Sequence, residues 1–164
     1  MALPDKVLPG FSATLYAQPT ETPTPLTVAN LSVYASVSAI AVAGNEVPVE
    51  AIPAFGTDDA VASFGVAGSR QGDKIPVQNA PTSMSITAAW NPADPQLLLI
   101  RGDSYNGTID RTFVISATDG TNIVNYAFNG RVGNFQIDAN VGAEAKCMFT
   151  IHPRGNQFGW SNNT

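Results

Sequence analysis

Apolar and polar residues alternate along much of this chain. Leu31, Val33, Ala35, Val37 and Ala39 fall on one side of an extended backbone, with Ser32, Tyr34, Ser36 and Ser38 on the other. Met84, Ile86, Ala88 and Trp90 interleave with Ser83, Ser85 and Thr87 in the same way. In residues 145–152, Ala145, Cys147, Phe149 and Ile151 point together. Residues 111–117, 122–128 and 134–138 carry further strand-like runs, and Ser12–Ala17 another near the N-terminus. A period of two with one apolar face predicts half-buried antiparallel strands.

Turn residues punctuate these runs. Gly44-Asn45 separates VSAIAVA from EVPVEAI, and Asp119-Gly120 separates FVISA from IVNYAF. Such pairs tolerate positive φ and favour tight turns. Asn129-Gly130 has the same form, so residues 125–138, NYAFNGRVGNFQID, read as strand, turn, strand. One segment reads as a helix, about residues 92–101. Asn91 is the expected N-cap, Pro92 suits the first turn and Gly102 ends it. Leu97 and Ile100, with Leu98 or Leu99 beside them, give an apolar stripe that must pack on the sheet, because so short a helix is marginal alone.

Two segments lack any period. Residues 19–25, PTETPTP, read as a Pro/Thr linker between the N-terminal strand and the body, so that residues 1–25 form a strand and its tether. Residues 54–81 are glycine-rich and predict a long flexible loop, which inside a compact domain is either functional or disordered. Residues 156–164 complete the chain as a C-terminal tail. The expectation is one domain over residues 1–164, mainly β: an antiparallel sandwich or barrel with one short α-helix.

Composition narrows the function. With 164 residues the chain is long enough to bury roughly 70% of its unfolded surface. Charged residues make up 13% against 44% hydrophobic, about half the usual charged share, which suggests surface covered by partners. The net charge is −5 and the basic residues are scattered singly from Lys6 to Arg154. No basic stripe exists to neutralise phosphates, which argues against a tight grip on nucleic acid. Cys147 is the only cysteine, so no intrachain disulfide forms and a reducing compartment fits. The opening MALPDKVLPG sets Pro4, Asp5 and Pro9 where a signal peptide needs an apolar run. Residues 22–45 are uncharged, but prolines, Asn30 and several serines interrupt them, so they read as strands rather than a bilayer helix and imply no membrane partner.

Reagents for catalysis are scarce. His152 is the only histidine, which rules out a multi-histidine metal site and leaves one candidate base for a Ser-His-Asp arrangement. It precedes Pro153 and reads as a solvent or interface residue; Cys147, on an apolar face, reads as packing. Asp58-Asp59 is the one adjacent carboxylate pair and falls in the 54–81 segment, without the rigid positioning a glycosidase pair requires. DSYNG at residues 103–107 lacks the alternate oxygen ligands and distal Glu of a calcium loop. GVAGSRQGDK has no Gly-Lys-Ser/Thr and is not a P-loop. Arg101-Gly102-Asp103 reads as a helix stop. No cofactor and no enzymatic activity are expected.

One arrangement is more specific. A glycine-rich loop precedes SMSITAAWNPADPQLLLIRGD, a strand ending in Trp90 that runs through Asn-Pro into a Leu-rich helix. Then come RTFVISATDGTNIVNYAFNGRVGNF, two strands about a turn, and QIDANVGAEAKCMFTIHPRG, a strand, a link and a last strand. This order, over about residues 35–155, resembles the tail tube proteins of long-tailed, non-contractile bacteriophages. The resemblance implies a β-sandwich with one flanking helix, assembled as homohexameric rings stacked into a tube in the virion tail. It also implies synthesis in the host bacterial cytoplasm. The implied partners are other copies, the tail initiator or tip, tape-measure and terminator proteins, and double-stranded DNA in transit without specific binding. Some such proteins carry an immunoglobulin-like domain after the core; this chain stops nine residues after Gly155, and none is expected.

Two sets of site residues follow as expectations. Glu46, Glu50, Asp119 and Asp138, on or beside strands, are candidates for an acidic channel wall that repels phosphate at short range. Within residues 54–81, Phe55 and Phe64 are candidate anchors of a contact with the adjoining ring, rimmed by Asp58, Asp59, Arg70, Asp73 and Lys74. The rival readings are a capsid-associated or decoration β-sandwich and the inner-tube subunit of a contractile tail or type VI secretion system. A third is a carbohydrate-binding module using Tyr105, Phe158 and Trp160.

Overall fold

The computed structural model describes residues 12–64, 73–139, 142 and 144–163. In chain order the elements are β1 (Ser12–Ala17), a 3-10 turn (Asn30–Ser32), α1 (Tyr34–Ser38), a second 3-10 turn (Ala43–Asn45), β2 (Thr57–Phe64) and β3 (Asp73–Pro81). There follow β4 (Met84–Ala89), α2 (Pro95–Asn106), β5 (Arg111–Thr118), β6 (Ile123–Asp138) and β7 (Lys146–Asn162). Five strands form one antiparallel sheet in the order β1-β5-β6-β7-β4, curled into a half-barrel. β6 and β7 run its full length. β5 flanks only the first half of β6, from Arg111 opposite Gly130, and β4 flanks only the first half of β7, from Ala89 opposite Lys146.

Its two edges are drawn together by one extended segment. Val47 N–H donates to Leu15 O of β1 at 2.9 Å, while Glu50 N–H donates to Thr87 O at 2.9 Å and Ala89 N–H to Pro48 O at 3.0 Å on β4. Residues 46–50 therefore satisfy part of both exposed edges, which would otherwise invite pairing with other chains. Inside the curl, Leu15, Ile86, Phe113, Ile115, Phe128 and Ile151 meet Leu97 and Ile100 of α2 in one core. A second cluster lies on the outer face, where Leu31, Val37 and Ile40 pack on Val114 and Ala127. β5 is consequently buried on both faces.

That second cluster corrects the strand expected over residues 31–39. The buried residues there are Leu31, Val37 and Ile40, spaced by multiples of three, as suits the short helical turns that form. The alternation came from small alanines and from Val33, which is 44% exposed. EVPVEAI forms no named strand either; it supplies the edge-bridging segment.

The helix is real but displaced. Asp94 rather than Asn91 is its N-cap, accepting from Gln96 N–H at 2.9 Å, with Pro95 in the first turn. Asn91 instead accepts from Ala93 N–H at 2.9 Å, in a turn before the helix. Gly102 lies inside α2, and Gly107, at φ 68°, ends it. Leu97 and Ile100 are fully buried, as their stripe predicts.

Three further expectations are corrected. Residues 125–138 form one strand, not strand–turn–strand. Asn129 is buried and hydrogen-bonded, and Gly130 is needed because a Cβ there would stand 3.0 Å from His152 O. Residues 156–164 are no tail, since β7 continues to Asn162 against the first half of β6. Within residues 54–81, β2 and β3 pair as an antiparallel hairpin, with a register shift after Ala60 that places Val61 opposite Pro76. A bulge accommodates a proline that has no N–H to give. This hairpin is a separate two-stranded sheet.

Candidate interaction surface

The covering layer of residues 26–41 stops half-way along the sheet. Beyond it, among the described residues, nothing covers the outer face of β4, the first half of β7 and the second half of β6. Ser85, Asn134 and Gln136 are exposed there, Thr87 and Thr150 half-buried, and Met148 is 42% exposed. Near its middle the register slips between Gly133 and Gln136, with Asn134 at φ 56°. The bulge turns Phe135 inward, stacked on Phe149 at 6.2 Å and edge-on to Trp90 at 5.8 Å. A shallow hollow of about 220 Å³ remains outside, lined by Ser85, Thr87, Asn134, Gln136, Met148 and Thr150 among others. None of these six is charged.

Charge gathers at the two ends of this face. At one end Lys146 Nζ meets Glu50 Oε1 at 2.6 Å, directly across from Asp138. The Glu50 hydrogen bond, joined by the fields of Glu50, Glu144 and Asp138, holds the Lys146 ammonium above the usual lysine value. At the other end Asp110 is shared by Arg131, at 2.7 Å, and Arg154, at 2.6 Å.

The elements beneath are locked by polar groups that the sequence reading missed. Arg111 is fully buried; its Nε meets Asp103 Oδ2 at 2.5 Å and Nη2 meets Oδ1 at 2.9 Å. Nη1 donates to Gln18 O and, at 2.6 Å, to Thr20 O. One side chain thus joins α2, β5 and the residues that follow β1. Its only signal in the sequence was an arginine opening an otherwise apolar strand. Asn129 does the same for the outer layer: Oδ1 accepts from Thr112 Oγ1 at 2.6 Å, and Nδ2 donates to Leu26 O at 2.8 Å.

The anticipated residues are dispersed. Glu50 and Asp138 do lie together at the Lys146 end of the bare face. Glu46 is exposed beside Tyr16 of β1; burial and then the Glu46 charge push the Tyr16 hydroxyl up. Asp119 sits in the β5–β6 turn, accepting from Thr121 N–H at 2.8 Å and Asn122 N–H at 2.6 Å. That is the far end of β6 from Asp138.

Phe55 is half-buried on its own chain, 5.5 Å from the Tyr126 ring and 5.9 Å from Trp160. Burial pushes the Tyr126 hydroxyl up to about 12, and it donates to Gly56 O at 3.3 Å. In the hairpin, Asp58 and Asp59 pair with Ala80 and Asn79, Ser63 with Lys74, and Phe64 with Asp73. Arg70 lies outside the described residues. His152 is exposed, with Nδ1 3.1 Å from Ser83 Oγ, and burial pushes the Cys147 thiol up. Among the described residues no three His, Cys, Asp or Glu gather as a metal site, and no helix is long and apolar enough to cross a membrane.

No family model matches the chain, and no curated protein matches it by sequence. Solved structures do match. One is the sheath/tube terminator of the extracellular contractile injection system PVC in its extended state, at 11% identity, with TM-score 0.62, over 95% of this chain and 97% of that one. The fold is tail-tube-like. A chain of the anti-feeding prophage baseplate shares it at 12% identity over 98% and 97%, with TM-score 0.59. The SPP1 tail tube does so at 12% identity over 90% and 76%, with TM-score 0.53.

Proposed function

We propose that this chain is a structural subunit of a phage-type tail tube, assembling as hexameric rings that stack around a channel for genome delivery. The carrying observation is the likeness of fold over nearly the whole of both chains to a tube terminator and a baseplate chain, with a tail tube beside them. The tail-tube reading taken from the sequence order and the fold therefore point the same way. In this reading the bare, uncharged face of β4, β7 and β6 borders the channel. Hydroxyls and amides there offer passing DNA neither a grip nor a strong barrier, and the carboxylates Glu50 and Asp138 stand at its end. Glu46 and Asp119 belong to other surfaces of the ring. The β2–β3 hairpin, outside the main sheet, is the reach toward a neighbouring subunit. Phe55 serves as its intrachain seat, leaving the remaining hairpin residues to make the contact. The partners are other copies, a tail initiator, a tape-measure protein and a terminator.

A second reading, a ring that ends a tube rather than repeating along it, is favoured by the higher TM-scores to the terminator and the baseplate chain. It would also place the chain in a contractile rather than a long non-contractile tail. Negative-stain microscopy of concentrated protein tests both. Tubes of uniform diameter support the tube subunit and isolated sixfold rings the tube end. A strictly monomeric protein that also fails to enter tails when co-expressed with the other tail components overturns both.

A further inference from the structure

Along the bare sheet face the charges are sorted by sign. The Lys146 end holds three carboxylates, Glu50, Asp138 and Glu144, about one ammonium. The opposite end holds two guanidiniums, Arg131 and Arg154, about one carboxylate, Asp110. One end is thus net negative and the other net positive. Between them stand Ser85, Thr87, Gln136, Met148 and Thr150, none charged. Asp138 and Arg131 face Lys146 and His152, six residues apart on β7, about 20 Å at strand rise.

The bonding at each end leaves it unsaturated. Arg131 uses Nε and Arg154 uses Nη1 on Asp110, so both oxygens of that carboxylate are engaged while each guanidinium keeps further N–H donors. Both arginine side chains are about two-fifths exposed. At the other end Glu50 already holds Lys146, and Asp138 and Glu144 are exposed.

We propose that this face carries a head-to-tail contact in which Arg131 and Arg154 of one subunit meet Asp138 and Glu144 of a second copy of this chain. The proposal rests on the reading of the chain as a stacking subunit, and adds what sets the polarity of the stack. A contact joining unlike ends of one surface is heterologous and does not close on itself, so it propagates as a filament. Like ends repel, which prevents rings from stacking face to face. Because the contact is made of exposed charges, it is screened by salt.

Charge reversal tests it. Variant A carries R131E, D110K and R154E, which keeps the local ion triad with its signs exchanged. Variant B carries D138K and E144K. Each is expected to melt like the wild type and to form rings of wild-type diameter, but not to stack alone. Mixed A and B rings should stack again, in alternation. Wild-type tubes should fall apart into rings as ionic strength rises from about 0.1 to about 1 M, where the screening length drops from about 10 to about 3 Å.

If no variant and no wild type forms rings, the reading as a ring subunit fails, and sedimentation of the dilute mixture still decides the contact: A should bind B at least tenfold more tightly than either binds itself. No preference of A for B, in rings or as free chains, overturns the proposal. So does a closed dimer of A with B, the product of two faces packed antiparallel.

Discussion

Gly159 of β7 lies so close beneath Leu31 that a side chain has no room. A Cβ there would stand 2.7 Å from the Leu31 carbonyl carbon and 2.4 Å from Ser32 Oγ. Neither backbone can retreat without lifting Leu31 from its fully buried seat on Val114 and Ala127. Gly159→Ala is expected to cost about 1–3 kcal/mol, the range for overpacking. Gly102→Ala, inside α2 with open space around it, should instead stabilise by about 0.5–1 kcal/mol. Chemical denaturation reads both, and equal small effects would show that Gly159 and Leu31 are not in close contact.

Arg111 and Asp103 form the second lock. Arg111→Met leaves a buried carboxylate unpaired and should cost about 3–5 kcal/mol. The double variant Arg111→Met/Asp103→Leu should recover most of that loss, since an apolar pair of similar volume avoids the desolvation penalty. A double variant no better than the single one would show that the bonds to Gln18 O and Thr20 O, rather than the ion pair, hold this corner.

What was legible in the sequence follows from burial. β4 has one face on the core, and its alternation marks it correctly; β1, expected as an N-terminal strand over Ser12–Ala17, has the same one-sided burial. The Asp119-Gly120 turn was legible for a local reason, since Asp119 bonds its own turn. Residues 31–39 were misread because alanine fits a strand pattern without requiring burial on that face. The hairpin was invisible because β2 and β3 pair only with each other in a sheet of their own, so the five-stranded sheet imposes no period on them. The charge-sorted face was illegible for another reason. Arg131 and Asp138 lie on β6 and Lys146 and Arg154 on β7, with Glu50 and Asp110 in two further segments, so the six are sorted by sign only once the sheet is folded.

Leu97→Ala should cost about 2–4 kcal/mol, because Leu97 is fully buried in the core beneath α2. Its neighbour Leu98 is 36% exposed, and Leu98→Ala should change stability by less than about 0.5 kcal/mol. Thermal or denaturant melts of the two variants check the facing of the helix. Similar losses at both would mean that α2 is rotated.

Asp119 gives a pH signature. The Asn122 side-chain amide, bonded at 2.9 Å, and then the Asn122 and Thr121 N–H groups hold its carboxyl below the usual aspartate value. A depressed folded value means that its contribution is complete above the unfolded aspartate value of about 3.9 and is lost as pH falls through the lower folded one. NMR titration should find Asp119 below ordinary aspartates. Asp119→Asn should flatten that part of the stability profile, because the variant lacks at neutral pH the contribution that the wild type loses only in acid. An Asp119 that titrates at or above the ordinary value would contradict the hydrogen bonding of this turn.

The hairpin offers a way to test folding apart from the proposed assembly. Among the described residues β2 and β3 pair only with each other, with β3 lying against β7, and a lone two-stranded hairpin is marginal in water. Its root is firmly held: Phe55 stacks on Tyr126, Thr82 N–H donates to Gly56 O at 3.1 Å, and Thr57 pairs with Pro81. Replacing residues 58–80 by a short Gly/Ser link between these paired ends should therefore leave circular dichroism in the core and the melting temperature nearly unchanged, while abolishing tubes. In the wild-type monomer the β2 and β3 amides should exchange hydrogen much faster than those of β6, and they should slow on assembly if, as proposed, the hairpin docks on a neighbouring subunit. A shortened protein that still polymerises normally would show that the hairpin has another job. Amides of β2 and β3 as protected in the monomer as those of β6 would show that its order does not depend on a neighbour.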